Sequence, residues 1–193
     1  MNCHSCRTHF NIILYTFIVR SSIFKTFFFT FLILLFPKPK VVISARRLPQ
    51  LEEVADEIRA AGGEVLVVQT DVSKVEDCEN LVAKTVEAYG KIDVLVNNAG
   101  VLEAGLKPID CYEDEDLEWV LGINTKGCLY CTRAAVKEMM KNNAGSIINL
   151  DSVAGAFGTG GASLRLSVTF LFCPMFSFLF SPPFKIYKAF NGI

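Results

Sequence analysis

Between residues 40 and 164 the chain alternates short unbroken apolar runs with longer stretches whose apolar residues recur every three or four positions. Lys40 to Ala45 (KVVISA) has the look of a strand buried on both faces. Pro49 then opens a helix with Leu51, Val54, Ala55 and Ile58 on one side and Glu52, Glu53, Asp56 and Glu57 on the other. Gly62 and Gly63 stop it. A second buried strand is predicted at 65–68, and Ser73 with Glu76 reads as the capping box of a helix that runs to Tyr89 before Gly90. Strands at 92–96 and 145–150 flank a long helix over 114–142. Strands alternating with helices of ten or more residues imply an α/β fold, a doubly wound parallel sheet with helices on both faces.

The flanks have another character. Fifteen of the sixteen phenylalanines lie in residues 1–39 and 165–193, and all twenty acidic residues lie between those segments. We therefore divide the chain into an apolar, cationic segment 1–39, a globular stretch 40–164 and a Phe-rich tail 165–193. Three readings fit residues 10–36: a membrane anchor, a strand at 12–19 followed by a buried helix at 22–35, and translated sequence that never evolved to fold. Arg20 and Lys25 fall inside the stretch, and each is costly in a bilayer. The location implied is cytoplasmic, or membrane-associated if residues 10–36 anchor.

Charge and cysteine usage narrow the partners. The net charge of −1 argues against nucleic acid as a partner, since phosphate binding needs a basic face. Seven scattered cysteines form no disulfide framework and fit reduced thiols. Cys3, His4, Cys6 and His9 lack a second pair of ligands, so no metal site is expected.

Ligands of a parallel sheet bind beyond the carboxyl ends of its strands. Three successive strand ends here carry small or polar residues: Ser44-Ala45-Arg46-Arg47, Asp71-Val72 and Asn98-Ala99-Gly100. The run Asn97-Asn98-Ala99-Gly100, followed by Asn124-Thr125-Lys126-Gly127 within a helix and by residues 146–155 (SIINLDSVAG), resembles the short-chain dehydrogenase/reductase family. The resemblance spans residues 40–164.

That resemblance implies a Rossmann-type sheet and an NADP-linked oxidoreductase that interconverts a secondary alcohol and a carbonyl, with a small molecule as substrate. Arg46 takes the place of the residue that holds the 2′-phosphate of NADP, and Ala45 stands where NAD-selective members carry Asp. Asp71 and Val72 match residues that border the adenine. Asn98, Ala99 and Gly100 match the turn along which the cofactor passes. Asn124 matches the Asn that supports the proton relay, and Ser152 the Ser that hydrogen-bonds the reacting oxygen. The helix over 114–142 corresponds to one that members often use to form dimers.

Two elements of the family pattern are missing from the sequence. No glycine precedes Gly62, so the phosphate-binding turn has no counterpart. The Tyr thirteen residues after the Ser, and the Lys four further on, are Arg165 and Thr169 here. The expectation is thus an incomplete sheet, lacking its first strand, glycine turn and later strands, with weak NADP binding. Whether such a chain is an enzyme stays open. The alternatives are an inactive interaction partner of a full-length relative and a membrane-anchored regulator.

Overall fold

The computed structural model describes residues 12–16, 40–101, 111–152 and 185–191. Among these residues six strands, all parallel, form one sheet in the order β3-β2-β1-β4-β5-β6. They are β1 (Ile12–Thr16), β2 (Lys40–Ala45), β3 (Glu64–Gln69), β4 (Val94–Asn97), β5 (Ser146–Ser152) and β6 (Lys185–Asn191). The order reverses between β1 and β4, the doubly wound arrangement expected from the alternation of strands and helices.

The absent first strand is a correction. Ile12–Thr16 fills the central slot, pairing Leu14 with Val42 on one side and with Leu95 on the other. A run of β-branched, aliphatic and aromatic residues suits a strand paired on both edges, which explains why this stretch fits. It follows the reading of a strand at 12–19, ending three residues earlier, and takes five residues out of any membrane-spanning helix over 10–36. The helix expected at 22–35 lies outside the described residues. Likewise β6 pairs along the whole of β5, from Ser146↔Lys185 to Ser152↔Asn191, where the later strands were expected to be missing.

Helix α1 (Leu48–Ala60) buries Leu51, Val54, Ala55 and Ile58, the four residues its periodicity selects. It ends where Gly62 turns left-handed at φ +82° and the Gly63 N–H donates to the Ile58 carbonyl at 2.9 Å. Helix α2 (Val75–Tyr89) ends on Gly90, also at φ +82°. The Ser73–Glu76 capping box does not form. The Asp71 carboxylate accepts both the Ser73 N–H (3.1 Å) and the Ser73 hydroxyl (2.7 Å), and the helix starts two residues later. The long helix comprises α3 (Asp114–Val120), a π-helical stretch Leu121–Gly127 and α4 (Cys128–Lys141).

Alternate strand residues feed two cores. Val42, Val68, Leu95 and Ile147 face α2 and α4, where they meet Leu81, Val82, Cys131, Ala135 and Met139. Val41, Ile43 and Val96 face α1. Each fully buried aliphatic side chain contributes about 1.5–3 kcal/mol, so these layers hold the strand ends rigidly enough to carry a site. Among the described residues no helix is long and apolar enough to cross a membrane.

Candidate functional site

At the carboxyl edge of the sheet the ends of β2, β3 and β4 border a shallow, open-mouthed cleft. Ser44, Ala45 and Arg46 form one wall, Thr70, Asp71 and Val72 a second, and Ala99 and Ile123 close it. Four residues picked from the sequence thus line one space: Arg46, Asp71, Val72 and Ala99. Asn98 and Gly100 belong to the same loop after β4. The first two walls are tied together where the Thr70 N–H donates to the Ala45 carbonyl at 3.0 Å. Gln69 adds a donation from Nε2 to the Arg46 carbonyl at 2.9 Å. Arg46 and Arg47 are exposed and make no ion pair among the described residues, leaving both guanidinium groups free to meet an anion.

Asn124 sits in the π-helical stretch, an irregularity common at functional sites. Both ends of its side chain are engaged. Oδ1 accepts the Val101 N–H at 2.7 Å and Nδ2 donates to the Val101 carbonyl at 2.9 Å, clamping the loop that follows β4. This is a positioning role that the sequence did not reveal. Gly127, at the end of the same stretch, is explained by close approach: a Cβ there would lie 2.7 Å from Val72 Cγ2 and 3.1 Å from the Val72 carbonyl oxygen. Gly100 is different, since a Cβ there would meet only Asn124 Oδ1, at 3.6 Å.

Further in, Asn97 ties strand to strand and strand to helix. Its Nδ2 donates to Thr132 Oγ1 at 3.0 Å and to Asn149 Oδ1 at 2.9 Å. Burial pushes the Cys128 thiol up to about 12, with a hydrogen bond to Thr132 pulling the other way. The Cys131 thiol is also raised, first by its hydrogen bond with Cys78 and then by burial. Ser152 is the last residue of β5, at the same carboxyl edge as the cleft, and pairs with Asn191 of β6. Positions 165 and 169 lie outside the described residues. So do Cys3, His4, Cys6 and His9, and no metal-ligating cluster occurs among the described ones. Missed in the sequence were Thr70 and Ile123 as cleft walls; their place just past a strand end and in the Asn124 stretch was the available signal.

The model of the short chain dehydrogenase family matches residues 35–164, about two-thirds of the chain. This chain belongs to the short-chain dehydrogenase/reductase family. It is 38% identical over 123 residues to a 3-oxoacyl-[acyl-carrier-protein] reductase of Synechocystis, with 63% of this chain and 49% of that protein aligned. It is 38% identical over 125 residues to the NADP-dependent 3-hydroxy acid dehydrogenase YdfG of Salmonella typhi, covering 65% and 49%. The chain spans about half the length of the curated relatives it matches. Among solved structures, serine dehydrogenase from Escherichia coli superposes with a TM-score of 0.76 at 28% identity, covering 94% of this chain and 82% of that one. NAD+-bound xylitol dehydrogenase gives 0.73 at 26% identity, covering 85% and 61%. Short-chain dehydrogenases use NAD or NADP and act on alcohols and carbonyls.

Proposed function

We propose that the cleft between β2, β3 and β4 holds the adenosine end of NADP(H), and that the chain is the nucleotide-binding part of an oxidoreductase interconverting a secondary alcohol and a carbonyl. The observation that carries this is the meeting of Arg46, Asp71, Val72 and Ala99 around one space, with the Arg46 guanidinium unpaired among the described residues. The donor set fits the group: apolar walls from Ala45, Val72 and Ile123 suit a planar base, and Arg46 with Arg47 suits a phosphate on the ribose. When bound, the cofactor supplies or accepts a hydride. For this chain's own part, Asn124 holds the Val101 loop in place, and Ser152 hydrogen-bonds the reacting oxygen as charge develops on it. Because Arg165 stands at the Tyr position and Thr169 at the Lys position, no proton donor of matched pKa is supplied there, typically a loss of ~10²–10⁴-fold in rate. With the relay incomplete, turnover is negligible; and because no glycine precedes Gly62 to form the phosphate-binding turn, NADPH binds weakly and NADH more weakly still. Titrating both nucleotides against the purified full chain tests this; tighter binding of NADH than of NADPH would sink the Arg46 assignment.

A second reading is favoured by one observation. Trp119 (41% exposed), Leu129 and Met140 (59%) leave apolar surface along the helix over 114–142. This supports a non-catalytic subunit that pairs with a full-length relative through that helix. Light scattering of the chain alone and mixed with an active relative separates the readings: a mixed dimer supports the second.

A further inference from the structure

Cys78 on α2 and Cys131 on α4 bring their sulfurs to 3.4 Å across the helix–helix interface, although 53 positions separate them in sequence. Both are fully enclosed, at 0% and 1% exposure, and both are free thiols. The proposed chemistry uses neither. Cys78 also donates its S–H to the Val72 carbonyl at 3.4 Å, and Val72 is a wall of the cleft. On its other side Val72 is held by the close approach of Gly127.

We propose that Cys78 and Cys131 are a redox pair that closes to an internal disulfide joining α2 to α4. A disulfide needs the sulfurs at about 2.05 Å, so they must approach by about 1.3 Å. The oxidant is a low-molecular-weight disulfide, RSSR. One thiolate attacks it, forming a mixed disulfide and releasing RS⁻. The second thiolate then attacks the protein sulfur of that mixed disulfide, forming the Cys78–Cys131 bond and releasing a second RS⁻. The two thiol protons end on two RSH. Both sulfurs are buried, so exchange waits for local opening of the α2–α4 interface. Closure removes the S–H that Cys78 gives to Val72, so the oxidation state of the pair is felt at the cleft wall, whatever the cleft binds.

The test incubates the native full chain with oxidised glutathione, blocks free thiols with N-ethylmaleimide and digests with trypsin without reduction. The expected product links residues 75–84 to residues 127–133. The link should persist in Cys128→Ser, vanish in Cys131→Ser, and raise the thermal midpoint of the oxidised chain, the rise being reversed by dithiothreitol. Three results would overturn the proposal: a link that runs through Cys128, a link that forms only after unfolding in urea, or no link when exposed Cys111 has already taken up glutathione. Because the cross-link is mapped on the unsubstituted sulfurs, the outcome does not depend on a Cys78 variant that folds.

Discussion

Replacing Asn124 tests whether the π-helical stretch positions the loop after β4. Asn124→Ala deletes two hydrogen bonds, at 2.7 and 2.9 Å, and leaves a partly buried N–H and carbonyl of Val101 without partners. Each such bond contributes about 1 kcal/mol net, and an orphaned group costs about 1–3 kcal/mol, so the loss should be roughly 2–3 kcal/mol. For a chain of this length that lowers the thermal midpoint by roughly 4–12 °C. Asn124→Asp separates the two bonds. One oxygen of the introduced carboxyl still accepts the Val101 N–H, while the other faces the Val101 carbonyl and repels it when ionised. Protonated, it can donate there instead, so its folded-state pKa rises above the ordinary value of about 3.9. The stability it restores is fully present below about pH 4 and is lost as pH rises through the folded value. Urea denaturation of the three proteins at pH 4 and pH 7 reads this directly. A loss below about 0.5 kcal/mol for Asn124→Ala, or equal stability of Asn124→Asp and the parent at pH 7, would refute the clamp.

Three further outcomes are expected. Leu14→Pro removes a backbone N–H from a strand paired on both sides, so it should cost about 3 kcal/mol or more and abolish cooperative unfolding; an unchanged circular dichroism melt would mean that β1 is not central. Arg46→Ala should weaken NADPH at least about tenfold, as the loss of a charge-assisted contact implies, and leave NADH unchanged in the same titration. Because the Cys128 thiol is raised from 9.0 to about 12, the stability it confers is complete below about pH 9 and falls as pH rises towards 12. Alkylation followed by peptide mapping should accordingly show exposed Cys111 labelled well before partly buried Cys128 at pH 8, and equal rates would contradict the raised Cys128 thiol.

Local pattern was enough to read the middle of the fold. The four buried residues of α1, the stops at Gly62 and Gly90 and the strands of residues 40–150 follow from periodicity and glycine placement, which act over a few residues. Interactions set by tertiary approach were not legible. Gly127 is small because Val72 packs on it from another element, and Asn124 spends its amide on Val101, 23 positions away. Asp71 took both hydrogen-bonding groups of Ser73, a competition that a capping-box pattern cannot rank. β1 was legible only as one of three readings of residues 10–36. Its composition resembles that of its Phe-rich surroundings, and only the pairing with Val42 and Leu95 sets it apart as a strand of the sheet.

Every hydrogen bond between the two halves of the sheet, β3-β2 and β4-β5-β6, passes through the five residues of β1. In synthesis this strand leaves the ribosome before its neighbours, and the second of them, β4, follows only after nearly eighty more residues. At ordinary elongation rates of ~5–20 residues per second that is a wait of roughly 4–16 seconds. Throughout it, an apolar strand has one open edge and no acidic residue nearby to discourage a stranger. Yield of this protein in a cell is thus a race between elongation and capture of that edge. Slower translation through residues 40–93 should shift the outcome towards aggregates, and a chaperone that covers apolar strands should shift it back.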